Sequence, residues 1–258
     1  MLSLEPRFHG EPPLYLTSAL LADAGLPHLF TTRRFPLLAS TAARGTPFGA
    51  GAMALLARAG LDGEEPAFLK QVHGADVLAA ERGGLAGRGD VLTTDRPGLP
   101  LAIFTADCLP VVVYDPEHRR LAVAHTGWRG TVQRVAPAAV QALVSADAAP
   151  GQLIAAVGPS IGPCCYEVDA PVIALLEAAF PGTWRSWVEP TTPGKWMLDL
   201  WRANYEQLVS AGLDPARIDN ARLCTACHTD LFFSYRRARG QGRLVTVAAI
   251  PPRPRGAC

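Results

Sequence analysis

Six short apolar runs, at 67–72, 101–105, 111–114, 121–125, 153–157 and 244–250, constrain the fold more than any other feature of this sequence. Each is too short for a helix of ordinary length and most are followed by turn residues, the signature of buried strands. Helical periodicity is confined to 130–146, 170–180 and 199–211. In the last of these Trp201, Tyr205 and Leu208 recur at i, i+4 and i+7 behind Asp199, a residue type that caps helix amino termini. Pro137 is expected to kink or delay the first, since proline lacks the N–H that a helix interior needs. The stretch 37–58, rich in Ala, Gly, Ser and Thr, reads as a mobile loop or a weak helix. Strands interspersed with helices, with no internal repeat and no long linker, predict one α/β (α+β) domain over 1–250. The run 251–258 is expected to be a flexible tail that tolerates truncation.

Composition narrows the function. Lys and Arg number 24 against 23 Asp and Glu, a net charge of +1, so there is no cationic excess to hold nucleic acid or an anionic membrane. Hydrophobic residues make up 49% of the chain and charged residues 18%, the balance of a folded globular protein. Asp107 interrupts the one extended apolar stretch, which leaves nothing long enough to span a bilayer. The opening residues, with Glu5, Pro6, Pro12 and Pro13, do not follow the plan of a signal peptide. A cytoplasmic protein is expected, and its six cysteines are read as reduced thiols.

Three segments place polar side chains at the ends of apolar strands: Lys70-Gln71-Val72-His73-Gly74, Thr105-Ala106-Asp107-Cys108-Leu109-Pro110 and Ala124-His125-Thr126-Gly127-Trp128-Arg129-Gly130. A turn after a buried strand can aim a side chain into a cleft from a rigid base. His73, Cys108 and His125, if brought together, make a thiolate and two imidazoles. That donor set suits zinc or copper and leaves the fourth tetrahedral position open for water or substrate. Taken singly, each is more often a satisfied core residue; their joint placement is what favours a metal. Asp107, beside Cys108, is a candidate general acid–base or a carboxylate that orients a ligating histidine. Gln71 shares the face of His73 on an extended strand and is a candidate substrate contact.

These segments, with 158–168 and 224–237, resemble the signature blocks of the multicopper polyphenol oxidoreductase (laccase-domain) family, now largely regarded as purine nucleoside phosphorylases and also called the peptidoglycan editing factor family. The resemblance implies a four-layer α/β/β/α arrangement with mixed sheets, and zinc held by His73, Cys108 and His125. It implies phosphorolysis of adenosine, inosine, guanosine and methylthioadenosine, with inorganic phosphate as co-substrate and adenosine deamination as a second activity. Phe30-Thr31-Thr32-Arg33 matches the first part of a family block, which makes Arg33 a candidate anion ligand. The pattern then departs: where the family reads G-G-V-S and later N-L-G, this chain runs Arg34-Phe35-Pro36-Leu37-Leu38-Ala39-Ser40. The departure over segment 34–58 is compatible with a changed substrate, a reshaped lid or reduced activity.

Gly158-Pro159-Ser160-Ile161-Gly162-Pro163-Cys164-Cys165-Tyr166-Glu167 reads as a wall of the cleft, with Cys164 and Glu167 as lining residues. Cys224-Thr225-Ala226-Cys227-His228 spells a haem-attachment pattern, but it continues into Phe232-Phe233-Ser234-Tyr235-Arg236-Arg237 as the family block does. A structural zinc on Cys224 and Cys227 needs two further ligands, and adjacent Cys164 and Cys165 are expected to be poorly placed to supply both. Arg236 and Arg237 are read as cleft or salt-bridge residues. Three rival functions remain. A copper polyphenol oxidase is disfavoured because only six histidines are present, three of them (His9, His28, His118) outside the blocks. A Cys–His hydrolase editing peptidoglycan precursors would use Cys108 as nucleophile with His73 or His125 as base. A non-catalytic nucleoside-binding protein would have kept the fold while its early loop diverged.

Overall fold

A computed structural model describes residues 6–37, 46–144 and 149–252. Among these the chain runs β1 (Arg7–His9), β2 (Tyr15–Thr17), α1 (Ala19–Asp23), β3 (His28–Thr31), α2 (Ala50–Arg58), β4 (Ala67–Lys70), β5 (Val77–Ala79), β6 (Gly84–Arg88), β7 (Val91–Thr94), β8 (Leu101–Thr105), β9 (Leu109–Asp115), β10 (Arg120–Thr126), α3 (Trp128–Val132), α4 (Val135–Leu143), β11 (Ile154–Val157), β12 (Glu167–Asp169), α5 (Ala170–Ala179), β13 (Val188–Pro190), β14 (Lys195–Leu198), α6 (Leu200–Ser210), β15 (Ile218–Asn220) and β16 (Leu244–Ala248).

The central strands are apolar on both faces because each separates two cores. In β9, Leu109, Val111 and Val113 face the helices while Val112 and Tyr114 face a second sheet. In β8, Leu101 and Ile103 join that same inter-sheet core, and Ala102 and Phe104 turn outward to the layer holding α2. Side chains alternate across a strand, so a run with no polar residue must be covered twice. One sheet has the order β1-β2-β3-β16-β8-β4-β6 and the other β15-β11-β9-β10-β7-β5, with β12-β14-β13 as a small third sheet. The large sheets are mixed: β4 is parallel to β6 and β8, and β5 to β7, among otherwise mostly antiparallel neighbours. The two pack face to face. With α2 outside one and α3 to α6 outside the other, the layers are α/β/β/α, as expected. Each fully buried Val, Leu or Ile in these layers contributes about 1.5–3 kcal/mol.

One expectation is corrected, and two open alternatives are decided. The helix expected over 130–146 is two, broken at Arg134, whose backbone is left-handed (φ 60°). Pro137 sits in the first turn of the second helix, where its missing N–H leaves no bond unmade, so the proline delays the helix without kinking it. Within 37–58, residues Ala50–Arg58 form a regular helix that buries Ala52 and Leu56. Residues 38–45 of that segment, and 253–258 of the expected tail, lie outside the described residues. The cap at Asp199 is as expected, its carboxylate accepting from the Arg202 N–H at 2.9 Å. No described helix is long and apolar enough to cross a membrane.

Candidate metal centre

The three expected ligands meet where the chain crosses from one large sheet to the other. After β4 the backbone turns through Gln71-Val72-His73-Gly74; after β8 it crosses at Ala106-Asp107-Cys108 and begins β9; His125 sits near the end of β10, opposite Pro110. Two residues of these crossings have left-handed backbones, His73 (φ 59°) and Asp107 (φ 85°). Such conformations cost a non-glycine residue about 1–3 kcal/mol and persist only where surroundings impose them. Here they do. The His73 carbonyl accepts from Gln133 Nε2 at 2.9 Å, and both oxygens of Asp107 are engaged, by the Thr225 hydroxyl at 2.6 Å and the Arg236 N–H at 2.7 Å.

One donor atom from each of His73, Cys108 and His125 lies within 4.8 Å of the others. The imidazoles stand edge to face, centroids 4.8 Å apart. Ligands on a tetrahedral zinc stand about 3.3–3.8 Å apart, a spacing that small rotations of these side chains reach. Asp90, fully buried, accepts from His125 Nδ1 at 2.7 Å through one oxygen, which leaves Nε2 as the atom facing the cluster. Its other oxygen accepts from the N–H groups of Val72 and Gly74 at 3.1 and 2.7 Å, so one carboxylate orients His125 and pins the loop carrying His73. Gly127 admits the thiol, because a Cβ there would stand 2.7 Å from Cys108 Sγ.

Burial opposes charge on His125, Cys108 and Asp90, yet the bonds among these groups and their neighbours override it. Burial lowers the basicity of His125, but its bonds to Asp90 and Cys108 raise the pKa to about 9. Burial raises the thiol of Cys108, but bonds to His125 and His73 bring it down to about 7. For Asp90 burial pushes upward, and the bonds from His125, Gly74 and Val72 hold it below the usual carboxylate range. A thiol that ionises near neutral pH beside two imidazoles is a ready ligand for a divalent ion.

The ligands border a cavity of about 610 Å³, whose wall also includes Gln71, Phe104, Arg129, Tyr235 and Arg243. That volume is within the usual range of small-molecule sites. Neither Arg129 nor Arg243 pairs with a carboxylate among the described residues, so both present positive charge to whatever enters. A larger hollow of about 720 Å³ beside α4, α5 and α6 contains none of the three ligands and offers no comparable chemistry.

Residues 50–251 match the family described as multi-copper polyphenol oxidoreductase laccase. The chain belongs to this family. Among its relatives is the purine nucleoside phosphorylase YlmD of Geobacillus stearothermophilus, 40% identical over 68% of this chain and 69% of the relative. The purine nucleoside phosphorylase of Deinococcus radiodurans is 37% identical over 90% of this chain and 92% of the relative. Adenosine deaminase RL5, from an unknown prokaryotic organism, is 38% identical over 57% of this chain and 56% of the relative. The crystal structure of YlmD from Geobacillus stearothermophilus superposes with a TM-score of 0.82 at 30% identity, covering 95% of this chain and 99% of that one.

In this member of the laccase family the other expected site residues are placed as follows. The Gln71 amide bonds the Phe104 backbone at both ends, Nε2 to the carbonyl at 2.7 Å and Oε1 from the N–H at 2.8 Å, so it fastens the end of β4 to β8 while its side chain borders the cavity. Asp107 is directed at Thr225 and Arg236; the carboxylate that orients a ligand is Asp90. Arg33 donates to the Thr229 carbonyl and lies over the Phe233 ring, 5.0 Å from its centre, which holds the 229–233 segment. Arg33 is not among the residues bordering this cavity. Arg236 bonds the Glu167 carbonyl and Arg237 the Ala226 carbonyl. Sequence reasoning missed Asp90, Arg129 and Arg243 as site residues. An aspartate at the start of a buried strand, after Gly89, is the one local signal that would have flagged Asp90.

Proposed function

We propose that this enzyme is a zinc-dependent purine nucleoside phosphorylase, releasing a free base and ribose 1-phosphate from adenosine, inosine, guanosine or methylthioadenosine, with adenosine deamination at the same site. The observation that carries the reading is a three-donor cluster beside an arginine-lined cavity, in a chain similar over nine-tenths of its length to a relative of that name. His73, Cys108 and Nε2 of His125 would hold the ion, which when bound supplies concentrated positive charge and Lewis acidity. The protein's own contribution is positional. Asp90 fixes the His125 tautomer; Arg129 and Arg243 would hold inorganic phosphate. Three protein donors leave an open position, as catalytic zinc sites do, and the same donor set accommodates copper less selectively.

A second reading is favoured by one observation, the Cys108 thiol at about 7 between two imidazoles, which is also how a Cys–His hydrolase arms its nucleophile. Incubating the enzyme with adenosine, with and without phosphate, and separating the products by chromatography tests both. Adenine formed only with phosphate, and lost on chelation or in Cys108→Ala, supports the phosphorylase. Turnover of an amide substrate that survives chelation and stops on alkylating Cys108 would favour the hydrolase.

A further inference from the structure

A second group of four thiols lies outside the catalytic cluster, and neither the proposed chemistry nor the cavity uses it. The Sγ atoms of Cys164, Cys165, Cys224 and Cys227 all lie within 4.8 Å of one another. Cys227 Sγ is 3.4 Å from that of Cys164 and 3.5 Å from that of Cys165. The sequence predicts that adjacent Cys164 and Cys165 are poorly placed to supply both further ligands, yet both face one point. They do so because residues 163–165 form a turn, where successive side chains do not alternate; the N–H groups of Cys165 and Tyr166 both bond the Gly162 carbonyl, at 3.0 and 3.1 Å. On the other side Cys224 and Cys227 flank a tight turn in which the Cys224 carbonyl accepts from the N–H groups of Cys227 and His228, at 3.2 and 3.0 Å.

We infer that these four cysteines form a tetrathiolate zinc site that clamps the 163–165 turn to the 224–227 turn. Sulfurs on a tetrahedral zinc stand about 3.8 Å apart, a spacing this group brackets. A disulfide would account for only two of the four. The Gly162 N–H donates to the Cys224 sulfur at 3.3 Å, an outer bond of the kind that orients and supports a metal ligand. Binding balances as one Zn²⁺ taken up by four thiols with four protons released, leaving a centre of charge −2. Arg237 is placed to offset it, its guanidinium 3.6 Å from Cys165 Sγ and anchored on the Ala226 carbonyl at 3.0 Å. His228 is exposed and completes no ligand set, so the haem-like spelling is incidental.

The clamp sits behind the catalytic cluster. Thr225, between the two turn cysteines, donates to Asp107, and Asp107 precedes Cys108. The ion therefore positions Cys108 through Asp107 without touching substrate.

Metal analysis of the purified enzyme, with titration of reactive thiols before and after a strong chelator, tests this. The expected result for the wild type is two zinc ions per chain, with Cys164 and Cys227 unreactive until chelation despite their exposure. Cys164→Ser with Cys227→Ser should hold one ion, and His73→Ala with His125→Ala should hold one, which separates this site from the catalytic one. Cobalt exchanged into the latter variant should give the absorption of a tetrahedral tetrathiolate centre. One ion in the wild type that disappears with His73→Ala and His125→Ala overturns the inference. So does a wild-type mass lower by two hydrogens, which marks a disulfide, or free reactivity of these thiols before chelation. The thiol and mass measurements need no variant and stand even where the serine pair does not fold.

Discussion

His125 donates its Nδ1 proton to Asp90 at 2.7 Å, and the aspartate is fully buried while bonding two N–H groups from the turn that carries His73. One carboxylate thus governs both imidazoles of the candidate metal site. Asp90→Asn keeps the shape but weakens the acceptor, and metal affinity should fall about 10–100-fold. Competition with a fluorescent chelator measures this directly. Unchanged affinity would show that the imidazoles are oriented without Asp90.

Gly127→Ala tests how closely the chain approaches Cys108. The backbone of Gly127 is extended (φ −91°, ψ −169°), so alanine meets no conformational strain, but its Cβ would stand 2.7 Å from Sγ. The sulfur must move. The variant should keep its circular dichroism spectrum while losing most of its catalytic metal and turnover.

Arg129→Ala and Arg243→Ala separate the two proposed activities. A bond to a charged oxygen is worth about 1.5–3 kcal/mol, so each change should raise KM for phosphate roughly tenfold or more. Deamination of adenosine, which consumes no phosphate, should change far less. Equal losses in both reactions would place these arginines on the nucleoside and not on phosphate.

His28 makes stability depend on pH far from the three-donor cluster. Its Nδ1–H donates to the Leu26 carbonyl at 2.8 Å and its Nε2 accepts the Ser18 N–H at 2.7 Å, so both nitrogens are used in the neutral ring. Burial lowers its pKa from 6.5 to about 4, against an opposing bond to Leu26 and with a smaller push from His9. Because the folded value is depressed, this stabilisation is fully present above pH 6.5 and is lost as pH falls through about 4. The difference corresponds to about 3 kcal/mol. Urea unfolding at neutral pH and near pH 4 should show this loss in the wild type and a smaller slope in His28→Leu.

The strand at 101–105 and the helix cap at Asp199 were readable because each depends on a local pattern, an apolar run ended by a turn or a short polar residue before a helix. The weakly patterned strands, such as β6 and β12, were not, since edge pieces of three to five residues carry little hydrophobic signal. Helix α2 was ambiguous for a different reason: its Ala- and Gly-rich sequence, with only Ala52 and Leu56 buried, is fixed by packing against Phe48 and Phe68.

By itself the sequence determined the buried strands, the α/β class and three candidate donors, because a polar residue at the end of an apolar strand is visible as residue type and position. Only the tertiary structure decided that Asp90 orients His125, that Arg129 and Arg243 face the cavity, and that Cys164 and Cys165 turn together toward Cys224 and Cys227. Asp90 and His125 are 35 residues apart in sequence and meet across the β7–β10 pair. Hydrogen bonds, fields and ligand sets act over a few ångströms, and only the folded chain sets which residues share those ångströms.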